Sequence, residues 1–187
     1  MANETTTSRL LRLSISIYRN QNITSKEGHD FARNNHAIKA APIHAQHGID
    51  SYSQVCTKRD YNHNGMLTRQ RIKFFTPINY RKTLEDMNTR GNRGWVIDDH
   101  DLTIDFYFKT FADLAKVNTD RELQRLQQEE EPFINRTHTV VSLGWVEQYV
   151  KDGKVVNIKD GKSMYPTFEE LTDLATAAGS QAPASGA

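Results

Sequence analysis

An α+β sandwich is predicted by three observations. Two segments alternate apolar and polar residues with period two. Each is followed by a stretch of helical spacing and then by another strand. A long stretch without clear periodicity separates the two halves. The first strand is Arg9–Arg19, RLLRLSISIYR, with Leu11, Leu13, Ile15 and Ile17 on one face and Arg12, Ser14, Ser16 and Tyr18 on the other. Asn22–Lys26 supplies turn residues, and Thr24 or Ser25 can cap a helix beginning at Lys26 or Glu27. Ser25–His47 carries Phe31, Ala32, Ile38, Ala41 and Ile43 in a polar background, which predicts helix to about Asn34. A break is expected near Asn35–Ala37, then more helix ending at Gly48, a residue that adopts the left-handed conformation cheaply. Pro42 argues against one unbroken helix.

The second strand is Ile49–Thr57, with Ile49 and Val55 opposite Tyr52, Gln54 and Cys56. Lys58–Gly94 is polar and rich in Arg and Asn; its Phe74, Phe75, Ile78 and Tyr80 suggest a long excursion or lid folded onto the domain. Asp101–Lys109, DLTIDFYFK, alternates most cleanly, with Leu102, Ile104, Phe106 and Phe108 against Asp101, Thr103, Asp105 and Tyr107. Thr110–Glu130 reads as one helix through Phe111, Leu114, Ala115, Val117, Leu123 and Leu126. Thr137–Val150 is apolar on both faces, which predicts a strand that is central or covered twice. Thr167–Ala177 suggests a short additional helix.

The order β-α-β, excursion, β-α-β is the split, ferredoxin-like pattern, whose four-stranded sheet has helices on one face only. The other face is predicted to carry Ser14, Ser16, Tyr18, Tyr52, Gln54, Cys56, Thr103, Asp105 and Tyr107. Hydroxyls and tyrosines in place of Lys and Glu suit a half-wet cavity. Two copies packed sheet to sheet would enclose it, so a homodimeric α+β barrel is expected.

The totals narrow the function. Hydrophobic residues are 37% of the 187, a low share that the polar ends explain: residues 1–8 and a C-terminal extension from 159, closing in AAGSQAPASGA, read as flexible. The working domain is 9–158, with 58–94 as the insertion. A formal net charge of +1 gives no field for nucleic acid or an anionic membrane. No run approaches the length of a membrane span, the N-terminus lacks a signal-peptide core, and a cytoplasmic location is expected. A single cysteine, Cys56, excludes an internal disulfide and a thiolate metal cluster.

Histidines draw attention to His29–His47. Imidazole titrates near neutrality, and His36 falls at the expected helix break beside the sheet's open edge, so it is the leading proton carrier. The alternative is a structural histidine at a helix end. His44 and His47 lie three apart on one helical face. The intervals among His29, His36, His44 and His47 are irregular and no carboxylate completes a ligand set, so no metal is expected. His138 begins the last strand and is a candidate cavity residue; His100, among Asp98, Asp99 and Asp101, reads as a solvated turn. Asp105, mid-strand between apolar neighbours, is a candidate acid–base group. Tyr18 and Tyr107 could donate to an enolate oxygen. Tyr52, Ser16, Phe75, His44, His47 and His138 are candidate substrate contacts. Arg69, Arg71, Arg81, Arg90 and Arg93 read as a solvated basic loop, with a bidentate clamp on a substrate carboxylate as the alternative for one of them.

Several segments resemble the EthD-domain family: LRLSISIYRN, HDFARNNHAIKAAPIHAQHGI, YSQV and SLGWVEQYVKDGKVV, with Asn35-His36-Ala37 after the first helix and Gly144-Trp145-Val146-Glu147 near the end. More narrowly, the chain resembles fungal EthD-type proteins found with aromatic polyketide pathways. The resemblance implies a dimeric α+β barrel without a cofactor and lyase chemistry on a polyketide intermediate: decarboxylation of a β-keto acid, or dehydration, through an enolate. It carries over His36 alone. A cyclase or isomerase of the same fold, or a non-catalytic barrel that binds an aromatic product, are the alternative expectations.

Overall fold

A computed structural model describes residues 9–56, 80–167 and 169–170. The expected contact Phe75, the arginines Arg69 and Arg71, and most of the suggested Thr167–Ala177 helix lie outside them. The chain divides into two units, one formed by residues 10–144 and the other by the two ends, 1–9 and 145–187.

In the larger unit four strands form one sheet: β1 (Leu10–Arg19), β2 (Ile49–Cys56), β3 (Leu102–Phe108) and β4 (Ile134–Val146), in the order β2-β3-β1-β4. β1 and β2 both run antiparallel to β3, with Ser14 opposite Asp105 and Ser16 opposite Thr103 on β1. The order and the helix placement are those of the ferredoxin-like fold. Helices α1 (Ser25–Phe31) and α2 (Ala37–Gln46) lie between β1 and β2, α3 (Tyr80–Gly91) precedes β3, and α4 (Phe111–Thr119) and α5 (Arg121–Glu130) lie between β3 and β4. The core joins Leu11, Phe108 and Ile49 of the strands to Ala40, Ile43, Val117, Leu123 and Leu126 of the helices.

Local chemistry fixes the helix ends. Thr24 caps α1 in a capping box with Glu27, and Thr110 caps α4 in the same way with Asp113. Gly48 closes α2 at φ +86°, where its neighbour Asp113 would crowd any added side chain.

Five expectations are corrected. The break at Asn35–Ala37 does not exist: α1 and α2 are joined without interruption by a π-helical stretch, Ala32–His36, in which the Ala37 amide donates to the Ala32 carbonyl. The buried residues Ala32, His36, Ala40 and His44 recur every four positions. That repeat exceeds the 3.6 residues of an α-turn, and the wider π turn absorbs the excess so that all four stay inward. Pro42 sits inside α2. The carbonyl it leaves without a donor, four residues back at Ile38, belongs to an exposed residue that water can reach. The single helix Thr110–Glu130 is two, because Asp120 turns to an extended backbone and caps α5. β4 is the sheet edge, not a central strand, and Val140, Val141 and Leu143 are about half exposed. Finally, Tyr52, Gln54 and Cys56 are on the helix-covered face. A bulge between Ile49 and Ser51 inserts one residue, so Tyr52 pairs with Phe106 and Gln54 with Ile104. One extra residue reverses every side chain after it.

In the smaller unit two hairpins follow β4: β5 (Val150–Lys151) with β6 (Lys154–Val155), and β7 (Ile158–Lys159) with β8 (Lys162–Ser163). Each turns on Asp-Gly with both residues at positive φ, the tight-turn geometry such pairs favour. The Tyr165 hydroxyl accepts from the Gln148 amide at 2.8 Å and from Asn157 at 2.9 Å, tying the hairpins together. Among the described residues no helix is long and apolar enough to cross a membrane.

Candidate active site

A cavity of about 60 Å³ opens between the sheet and the α1–π segment. Its apolar walls come from Ile17, Ile104, Leu102, Phe31, Ala32 and Phe133. Phe31 and Phe133 stack at 3.8 Å between ring centres, so this wall is flat and aromatic. The cavity reaches the surface beside His29 and Cys56, which are exposed.

Two polar pairs interrupt the apolar lining. His36, held inward by the π stretch, places Nδ1 3.0 Å from Oε1 of Glu130 at the end of α5. The two atoms are close but not aligned for a hydrogen bond, and Nδ1 has no other partner among the described residues. Their side chains are only 10% and 15% exposed. Burial lowers the pKa of His36, an effect that the Glu129 charge partly opposes. Burial likewise pushes the Glu130 carboxyl up to about 7, with Arg136 pulling the other way. Both groups are therefore held towards their uncharged forms near neutrality.

The second pair is Arg19 and Asp101. The Arg19 amide donates to Asp101 Oδ2 at 3.0 Å, and Arg19 Nε lies 3.4 Å from Asp101 Oδ1. Arg19 also donates to the Ile23 carbonyl, which ties the sheet to the turn before α1.

The residues expected to form one site fall into separate places. His36 is in the cavity. His44 packs in the core beneath it, against Tyr52 and Phe106 at 4.9 and 5.0 Å, two rings that stack on each other at 5.3 Å. Burial pushes the Tyr52 phenol up to about 12, against a hydrogen bond from Gln54 that lowers it, so Tyr52 stays neutral. Asp105, Ser16, Tyr18 and Tyr107 lie on the opposite sheet face. There Arg12 donates to Asp105 Oδ1 from Nε at 2.9 Å, Ser14 donates to the same oxygen, and Ser16 pairs with Thr103 at 2.9 Å. Tyr18 donates to Asp99 at 2.6 Å and stacks on His100. His47 is at the surface end of α2, 2.8 Å from Asp120. The His138 side chain is exposed, and its carbonyl accepts from His100 Nε2 at 3.1 Å. His100 is thus a buried link between chain segments and not a solvated turn. Asp98, Asp99 and His100 bring possible ligand atoms within 4.8 Å of one another, but Asp98 already bonds His100 and Asp99 already bonds Tyr18. Arg81, Arg90 and Arg93 are exposed as expected, but Arg81 and Arg90 stand on helix α3 and not on a loop.

Sequence reasoning missed Glu130, Arg19 and Asp101. Glu130 stands in the acidic run Glu129-Glu130-Glu131, which reads as a solvated helix end. The available signal was its spacing of four and seven from the buried Leu126 and Leu123, which puts it on the inward face.

The arrangement is a small apolar cleft holding an imidazole beside a carboxyl group, both favoured by burial in their uncharged forms, and suited to moving protons at carbon and oxygen. Comparison with known proteins places the chain. A "Putative oxygenase" of Aspergillus terreus is 38% identical over 166 residues, covering 88% of this chain and 92% of that protein. "Dehydratase aurZ" of Gibberella zeae is 24% identical over 148 residues, covering 79% of this chain and 84% of its own length. "Conidial pigment biosynthesis dehydratase EthD" of Metarhizium robertsii is 20% identical over 148 residues, covering 79% and 89%. Among solved structures, a dimeric ferredoxin-like protein of unknown function from Thermobifida fusca aligns with a TM-score of 0.38 at 6% identity, covering 78% of this chain and 99% of that one. The EthD domain matches residues 20–137, well over half of the sequence, and the chain belongs to the EthD-domain family.

Proposed function

We propose that this protein is a cofactor-free lyase that removes water from a β-hydroxy ketone on an aromatic polyketide intermediate. The observation that carries the reading is His36 at the wall of an apolar cavity, buried and held towards the neutral imidazole that can accept a proton. Two relatives bear the name dehydratase, one of them in pigment biosynthesis, which supports the same reaction class. Removing the proton beside the ketone gives an enolate, and the enolate expels the β-hydroxyl as water. An apolar wall that excludes solvent strengthens the polar contacts within. The cavity in one chain is far smaller than the ~300 Å³ of ordinary ligand pockets, so it takes the reacting end of the substrate while the rest lies in the mouth. Loss of carbon dioxide from a β-keto acid would pass through the same enolate and is the nearest alternative lyase reaction.

A second reading comes from the name of the Aspergillus relative. A cofactor-free oxygenase also begins with proton removal, but the carbanion then meets dioxygen.

The bicyclic β-hydroxy ketone 3-hydroxy-1-tetralone separates these readings, because loss of water gives fluorescent 1-naphthol. The expected result is naphthol formation without oxygen uptake, reduced about 100-fold or more in His36→Gln. Oxygen consumption would favour the oxygenase. Binding of the ketone with no change to it would leave a carrier and no enzyme.

A further inference from the structure

We infer that Glu130 is the second proton carrier of this site: it shares a proton with His36 and delivers one to the leaving hydroxyl. The inference rests on the reading above, in which His36 takes the proton next to the ketone.

The placement is tertiary. His36 comes from the π stretch and Glu130 from the last turn of α5, elements distant in sequence, yet Nδ1 and Oε1 are 3.0 Å apart and both side chains line the same cavity. The neighbouring glutamate behaves differently: Glu129 is bound at the surface by Lys39 at 2.9 Å and by Arg125. Of the acidic run, Glu130 is the one that turns inward. The other groups acting on the pair are Arg136, whose Nη2 is 3.7 Å from Glu130 Oε2, and the Glu129 and Lys39 charges, which act on His36. A buried imidazole and carboxyl placed together without an aligned hydrogen bond weaken the fold. A catalytic use explains why that cost is tolerated.

Elimination of water needs a base and an acid in the same turnover. His36 starts neutral and Glu130 starts protonated. The imidazole takes the proton from the carbon beside the ketone, and the C–H electrons form the enolate. The enolate re-forms the ketone as the C–O bond breaks. Glu130 gives its proton to the departing oxygen, so water leaves and a carboxylate remains. The imidazolium then returns a proton to Glu130 across the 3.0 Å gap. The substrate has lost one H and one OH, and the pair regains its starting charge.

The test compares wild type, Glu130→Gln, Glu130→Asp and His36→Gln, with circular dichroism to confirm folding. Elimination is read with 3-hydroxy-1-tetralone. Proton removal alone is read as deuterium uptake by 1-tetralone, which lacks the leaving group. Glu130→Gln is expected to lose elimination about 100-fold or more while keeping deuterium uptake within about threefold. It should also lose the alkaline fall in kcat/KM that Glu130 ionisation imposes on wild type. Glu130→Asp should recover part of the rate. His36→Gln should lose both reactions. Elimination by Glu130→Gln within about threefold of wild type would overturn the inference and leave the lyase reading intact. So would equal loss of both reactions in that variant with its pH profile unchanged, the mark of a structural role. If wild type performs neither reaction, the lyase reading is what fails. The pair is then judged by NMR titration of His36: a midpoint unmoved by Glu130→Gln means that no proton is shared.

Discussion

His44 shows how the histidines of one helix diverge once each meets its own surroundings. It is 4% exposed, it packs against two aromatic rings, and its Nδ1 has no hydrogen-bond partner among the described residues. Burial lowers its pKa from 6.5 to about 4, helped by the nearby His36 and His47. The unfolded chain therefore binds a proton here more readily than the folded one. The stability from a neutral His44 is fully present above pH 6.5 and is lost as pH falls towards 4. The whole depression corresponds to about 3 kcal/mol as an upper bound. Urea unfolding of wild type across that range should show stability falling with pH, and His44→Leu should flatten the curve. Parallel curves would show that another group carries the acid sensitivity. Glu130 has the opposite sign, since its pKa is raised from 4.5 to about 7. Its stabilising, protonated form is complete below pH 4.5 and is lost as pH rises through 7.

Single residues decide the geometry of whole elements. Asp120 accepts from the amides of Glu122 and Leu123 at 2.9 and 3.0 Å, starting α5, and its other oxygen meets His47 at 2.8 Å, holding the end of α2. Asp120→Ala should lower Tm by about 2–4 °C, and Asp120→Asn, which can still cap, by less. Equal losses in differential scanning calorimetry would mean that the contact with His47, and not the cap, is what matters. This residue also marks what the sequence could show. Strands β1 and β3 were legible because their alternation is uninterrupted. The split between α4 and α5 was not read, because Leu123 and Leu126 continue the helical spacing across Asp120, although Asp followed by Arg-Glu is a start signal in its own right. The face of β2 was misread because the bulge after Ile49 leaves no mark in an alternating pattern. His36 was legible as a residue type near a helix irregularity. Its partner was not, because contact between residues 36 and 130 is made by tertiary packing alone.

At the scale of the whole molecule, Ser14, Ser16 and Asp105 of the outer sheet face are buried, while apolar side chains of the described residues stand exposed along edge strand β4 and at the end of β2. Val140, Val141 and Leu143 of edge strand β4 are 55%, 57% and 48% exposed, and Val55 is 54% exposed on the face opposite the helices. An edge strand that shows apolar residues on both sides invites pairing, and proteins ordinarily blunt such edges with charge or a bulge. Here the polar groups of the outer face are instead turned onto one another, with Asp105 held by Arg12 and Ser14. A face whose charges are already neutralised internally can meet an identical face without stranding them, and a second copy about a two-fold axis supplies one. The expected species is therefore a homodimer. Light scattering at micromolar concentration should give twice the chain mass, and Val141→Lys should give the monomer while cooperative unfolding persists. A wild-type protein that stays monomeric over a hundredfold concentration range would refute the shared sheet face. In that case the exposed valines would need another partner.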